Sequence, residues 1–345
     1  MLVLTGPARR PEPGMLRYIV QRLIYMVIVL WLISIATFII IQLPPGDYLS
    51  SVIERLESAG GNVSDEIIEG LRLRYGLDLP IHLRYFNWFS SVLQGNYGFS
   101  YTWQQPVRDI IGERLVLTFA IALLSAIVTY AVAIPIGIYS ATHQYSVGDY
   151  VVSFIGFIGM AVPNFMLALV MMYVAFRFFG HNLSGLFSPE FIDQPWSLAK
   201  VGDLVKHLII PVVVVGTAGT AGMIRVLRGT LLDELNKQYV ITARSKGVSE
   251  TTLLFKYPVR LALNPIVSGL ASLFPALVSG GVITAIVLSL PTVGPMLLKA
   301  LIAQDTFLTA TLLMFITVMT VFGTTVSDVL LVVLDPRIRM DRGVA

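Results

Sequence analysis

The sequence predicts an all-α integral membrane protein with six transmembrane helices, and three observations carry that prediction. Apolar residues make up 55% of the 345 positions and charged ones 13%, where soluble domains carry about 25% charged residues. Six runs are apolar over the roughly 20 residues that a helix needs to cross a hydrocarbon core about 30 Å thick. Lys and Arg are concentrated in the two tails and in one loop, as the positive-inside rule expects of cytoplasmic segments.

The chain divides accordingly. Residues 1–22 form a basic tail, with Arg9, Arg10, Arg17 and Arg22, and the first span is 23–43. It is longer than the apolar part of a secretory signal and lacks an A-x-A cleavage site, so it reads as a retained span. The first 14 residues contain Pro7, Pro11 and Pro13, and two starts, Met1 or Met15, are open. Residues 44–115 are too long for a simple connection and read as an external helical region. Ser64, Asp65 and Glu66 ahead of Ile67, Ile68, Leu71 and Tyr75 suggest a capped amphipathic helix. Tyr85, Phe86, Trp88, Phe89, Val92 and Leu93 suggest a second, aromatic helix. It suits either a cap on the bundle or a docking surface for an external partner.

The core domain, residues 116–334, holds the other five runs: 116–141, 151–176, 208–224, 266–290 and 308–326. Another external loop, 180–206, follows the third. The tail 335–345 is again basic, with Arg337, Arg339 and Arg342, which places both termini on the cytoplasmic side. No Asp, Glu, Lys or Arg lies inside the six runs. A charge at mid-bilayer costs roughly 2.5–3.5 kcal/mol, so proton- or ion-coupled carriers that keep one there are disfavoured. Prolines interrupt four runs, at Pro135, Pro163, Pro211 and Pro275. Small residues accompany them, including Ala133, Gly137, Gly216, Gly219 and Gly222. In the fifth run Ser268, Ser272, Ser279 and Gly280 fit tight packing and a weakly polar pathway equally well; Pro163 and Asn164 are further pathway candidates.

Other chemistry is thinly represented. There is no cysteine, and four scattered histidines show no metal-ligand spacing. Neither a GxSxG nor an HExxH motif is present, nor a GxxxxGK[ST] phosphate loop. The net charge of +3 sits in the expected cytoplasmic segments rather than in a nucleic-acid-binding patch.

The most distinctive polar stretch is 239–258, YVITARSKGVSETTLLFKYP, inside the loop 225–260. Residues 233–245 carry a helical pattern with Leu235, Tyr239 and Ala243 on one side. Gly247 then suits a left-handed helix end, and Ser249 with Glu250 a new start. A solvated basic loop and a cytoplasmic handle gripped by another protein are both consistent with this pattern.

Arg225, Arg228, Tyr239 and the run Thr242-Ala243-Arg244-Ser245-Lys246-Gly247 resemble the EAA-type loop of ABC importer permeases, most closely the dipeptide/oligopeptide branch. Agreement extends to Met15-Leu16-Arg17-Tyr18, Tyr75-Gly76-Leu77-Asp78, Gly95-Asn96-Tyr97-Gly98, Val162-Pro163-Asn164-Phe165 and Leu334-Asp335-Pro336-Arg337. Thr242-Ala243-Arg244 departs from Glu-Ala-Ala, which leaves Gly247 as the full match. The resemblance implies a six-helix permease subunit with a coupling helix formed by Tyr239, Ala243, Arg244, Ser245, Lys246 and Gly247. It implies two ABC ATPase subunits that carry ATP and Mg, a second permease subunit, and an extracellular solute-binding protein, in a cell (inner) membrane. The chain itself would hold no cofactor and no catalytic site. Peptides are the first substrate class implied and oligosaccharides the second; a stand-alone channel or secondary transporter is the alternative mechanism.

Overall fold

A computed structural model describes residues 15–42, 69, 79–100, 102–192, 194–272 and 281–334. Apart from residue 69, the capped helix expected at 64–75 lies outside the described residues, as do two of the matching motif segments in whole or part, 75–78 and 335–337, and Pro275, Ser279 and Gly280.

The described chain is almost entirely helical. Helix α1 is Met15–Gln42, α2 Ile81–Leu93, α3 Val107–Thr142, α4 Val147–Ala161, α5 Asn164–Phe179 and α6 Leu198–Leu235. Four short helices follow: α7 Gln238–Ser245, α8 Glu250–Lys256, α9 Pro258–Ala262 and α10 Asn264–Ser268. After a helical segment at 281–287 come α11 Val293–Ile302 and α12 Thr306–Leu334. Among the described residues, α1, α3, α6 and α12 are long and apolar enough to cross a membrane, and α4 with α5 adds a pair bent by 102°.

The bend falls where Pro163 interrupts the third run. Val162 and Pro163 are both extended (φ −84°, ψ 122° and φ −59°, ψ 137°), so the chain turns and α5 starts afresh at Asn164. Pro135 and Pro211, by contrast, sit inside continuous helices. The fourth run is also longer than expected: α6 has 38 residues, about 57 Å, and passes well beyond a 30 Å core. The fifth run is not one uninterrupted helix among the described residues. Pro258 and Pro265 divide its approach into α9 and α10, and a 3-10 turn, Gly269–Ser272, follows. Side chains satisfy carbonyls freed there: Tyr130 donates to the Ile266 carbonyl at 2.9 Å and Ser327 to that of Val267 at 2.8 Å.

Helices α3 and α6 form the spine. Small residues set their approach, since a Cβ on Gly137 would come within 2.9 Å of Leu227 and one on Gly216 within 3.3 Å of the Thr129 hydroxyl. Gly159 of α4 similarly faces Thr217. These glycines serve helix packing.

The aromatic helix α2 packs on α1 and α12. Tyr85 and Trp88 are buried with Phe38 of α1 and Ala310 of α12, and the Tyr85 hydroxyl meets that of the buried Ser34 at 2.8 Å. Beyond it, a two-stranded antiparallel hairpin, β1 Phe99–Ser100 and β2 Gln105–Pro106, is fixed to the start of α12. Fully buried Asp305 accepts from the Ser100 hydroxyl at 2.6 Å and the Thr102 amide at 3.0 Å.

Candidate functional site

The polar stretch after α6 folds as a helix, a turn and a helix. Gly247 takes φ 76°, a left-handed conformation that costs other residues roughly 1–2 kcal/mol. Its amide donates to the Arg244 carbonyl at 3.0 Å, and the Val248 amide reaches back to that of Ala243 at 3.4 Å. This is a Schellman closure, completed by packing of Val248 in the Val240–Ala243–Leu253 cluster. Ser249 occupies the cap position of α8 as expected, but its hydroxyl donates to Thr252 Oγ1 at 2.9 Å rather than to the backbone.

The loop therefore has an inner and an outer face. Val240, Ala243 and Leu253 are buried, flanked by Tyr239 and Tyr257. Ile241, Thr242, Arg244, Ser245 and Lys246 are exposed. Tyr239 is a bracing residue, its hydroxyl donating to Glu234 at 2.5 Å. Arg244 grips Glu250 across the turn through two bonds of 2.7 and 3.0 Å. That bond holds the Glu250 carboxyl below the ordinary range and lifts the Arg244 guanidinium above its own. Two exposed apolar residues of this surface, Ile241 and Phe255, escaped the sequence reading because the apolar pattern it followed, Leu235, Tyr239 and Ala243, lies on a different side of the helix.

Three connections tie the loop to the bundle. Val259, Ala262 and Ile266 pack on Leu227 and Leu231 of α6 and Ala141 of α3. Arg260 donates to the carbonyls of Leu334 and Val333, at 2.6 and 3.0 Å, and so caps the end of α12. Arg228, two turns before the end of α6, holds the buried Asp149 of α4 through two 2.8 Å bonds. Asp149 also accepts from the Ser140 hydroxyl and, at 3.0 Å, the Tyr145 amide. The loop is thus tied to α3, α4, α6 and α12.

The pathway candidates are distributed over several elements. Exposed Pro163 and half-buried Asn164 occupy the α4–α5 bend, whereas Ser268 is exposed at the end of α10 and Ser272 closes the 3-10 turn. Among the described residues, no group of three His, Cys, Asp or Glu side chains is arranged to hold a metal ion.

Residues 133–340 match the family described as binding-protein-dependent transport system inner membrane component, and residues 15–122 match the N-terminal region of such components. The oligopeptide transport system permease protein AppB of Bacillus subtilis (strain 168) is 31% identical over 325 residues, covering 94% of this chain and 99% of that one. The inner membrane ABC transporter permease protein YejB of Escherichia coli O157:H7 is 30% identical over 357 residues, covering 93% and 98%. A putative peptide transport system permease protein of Brucella abortus (strain 2308) is 29% identical over 323 residues, covering 94% and 99%. The chain belongs to the binding-protein-dependent transport system inner membrane component family.

Proposed function

We propose that this chain is one permease half of an ATP-driven importer of di- and oligopeptides. The observation that carries the reading is similarity to an oligopeptide permease along almost the whole of both chains. In the complete importer, a second permease subunit supplies the other half of the pathway. Two cytoplasmic ATPase subunits supply ATP hydrolysis, and an external binding protein delivers cargo. The chain crosses a cell (inner) membrane six times, the bent α4–α5 pair and the interrupted fifth run each counting as one crossing. Both termini and the loop 225–260 face the cytoplasm, where Lys and Arg accumulate.

The exposed face of α7, with Ile241, Arg244, Ser245 and Lys246, is the surface that an ATPase would grip. ATP-driven closure of the ATPases would bias a bundle with outward- and inward-open states, because the partner binds the two unequally. The rigid turn at Gly247 and the Arg228 and Arg260 connections suit the loop to act as a lever. Pro163, Asn164, Ser268, Ser272, Ser279 and Gly280 are the proposed pathway residues. The test is ATP-dependent uptake by the reconstituted assembly with its binding protein, offered a peptide pool and an oligosaccharide pool. Peptide uptake is expected; exclusive sugar uptake would keep the mechanism and overturn the substrate, and uptake without ATP would overturn the mechanism.

A further inference from the structure

At the end of the bundle opposite the coupling loop lies an open pocket of about 320 Å³, within the size range of small-ligand sites. Its position follows from two helices. α3 passes the pocket at Arg114, two turns after its start, and ends near where Ser140 meets Asp149; α12 starts beside the hairpin and ends under Arg260. Arg114 and Ser140 are 26 residues apart on one helix, about 39 Å.

The lining is unusual for an apolar chain. Arg114, Lys299 and Trp103 contribute two cations and an aromatic ring, and no acid lines it among the described residues. Neither cation has an ion-pair partner among those residues. Arg114 donates one bond to the Ile110 carbonyl of its own helix, at 2.6 Å, which steadies the guanidinium while leaving its other N–H groups uncommitted to that bond. Trp103 is positioned by its amide, which donates to Ser100 Oγ, itself held by Asp305. The wall also includes Ser289, left-handed at φ 54° where glycine is the easier residue. Backbone bonds from Ser289 to Ile286 and from Leu290 to Ala285 fix that turn.

The pocket leads inward. Ala285, Leu290 and Thr292 are shared with a smaller, mainly apolar cavity of about 30 Å³ that runs between α3, α6 and the 281–287 helix toward Pro211 and Gly281. A ligand held at the mouth would thus face a narrow apolar seam between the two longest helices.

We propose that this pocket binds a carboxylate of the transported peptide, through Arg114 and Lys299, with Trp103 covering the adjoining backbone. The inference rests on the peptide reading above and deepens it. A guanidinium and an ammonium without acidic neighbours match a carboxylate, and charge-assisted bonds of this kind are about twice as strong as neutral ones.

The test compares three probes in the reconstituted assembly with its binding protein: trialanine, trialanine amide, and the amide of Ala-Glu-Ala. The readout is the ratio of amide KM to free-acid KM, from which the binding protein's own preference cancels when variants are compared. Losing the pocket's carboxylate contacts in Arg114→Gln/Lys299→Gln is expected to lower that ratio about tenfold, as for one strong charge-assisted bond. Lys299 is exposed, so Lys299→Gln alone guards against misfolding and should lower it by about threefold. Arg114→Lys should keep most of it. The glutamyl amide separates the sources: if it behaves as trialanine does, the pocket takes any carboxylate, and if it behaves as the plain amide, the chain terminus is read. A ratio unchanged in both Gln variants overturns the proposal. No uptake of any probe by the unmodified assembly would overturn the peptide reading instead.

Discussion

Arg228 and Asp149, 79 positions apart in sequence, are joined by two 2.8 Å bonds between α6 and α4, two turns before the end of α6 and inside the loop 225–260. Asp149 is 2% exposed, and its two oxygens also receive Ser140 and Tyr145, so nearly all of its acceptor capacity is used inside the protein. Removing one partner from such a pair leaves a charge buried without compensation, which costs about 3–5 kcal/mol, whereas removing both costs less.

Arg228→Met is therefore expected to lower the thermal midpoint of the purified assembly more than Arg225→Met. Arg228→Met/Asp149→Asn should recover part of the loss. Since Arg228 keeps 26% of its side chain exposed, the low end, about 3 kcal/mol, is the appropriate expectation. Equal midpoints for Arg228→Met and Arg225→Met would contradict it.

Gly247 meets no atom within 4 Å of where a Cβ would stand, so any cost of substitution comes from its φ of 76° and not from crowding. Gly247→Val should abolish ATP-coupled uptake while the chain still inserts into membranes. Gly247→Asn, which tolerates the left-handed region, should retain a large share of it. Loss of insertion in the valine variant would show instead that the turn is needed for folding.

The same contrast explains what was legible in the sequence. Gly247 and the helices on either side of it were readable because the turn is closed by neighbours in sequence, Ala243, Arg244 and Val248. The Asp149–Arg228 bond and the Arg260 cap on α12 join residues 79 and 73 or more positions apart, and no local pattern announces either. Prolines were visible but their consequences were not. Pro135 stays within a helix packed through Gly137 against Leu227 of α6, whereas Pro163 follows an extended Val162 and precedes the start of a new helix. Among the pathway candidates, the serines carried no signal that separated packing from lining.

Glu250 and Arg244 provide a pH-sensitive staple on the exposed face. The folded carboxyl titrates below its unfolded value, so the staple's contribution is present above the unfolded pKa and is lost as pH falls through the lower, folded one. Both side chains are solvent-exposed, so the effect on overall stability is small and salt-screened. Amide exchange of the turn at 246–248 should be faster in Glu250→Gln than in the unmodified assembly at neutral pH, and the difference should vanish in acid. A difference that persists below the carboxyl's titration would assign the protection to the backbone closure alone.

Gly137 and Leu227 test how tightly the α3–α6 spine is set. A Cβ at 137 would stand 2.9 Å from one Leu227 methyl and 3.1 Å from its Cβ, and Leu227 is itself fully buried, with little room to swing away. Gly137→Ala is thus an overpacking change, worth about 1–3 kcal/mol of destabilisation despite alanine's better helix propensity. Shortening the neighbour should relieve it: Gly137→Ala/Leu227→Ala is expected to be less destabilised than the sum of the two single variants, a coupling measurable as a shift in thermal midpoint. Because Leu227 also packs with Val259 and Ala262 of α9, at the end of the proposed coupling loop, Gly137→Ala should reduce ATP-coupled uptake more than Gly202→Ala on the same spine, where a Cβ meets open space. Strict additivity of the two midpoint shifts would mean that the helices slide apart to accept the methyl group, and that the spine is not rigid enough to carry the loop's motion as a unit.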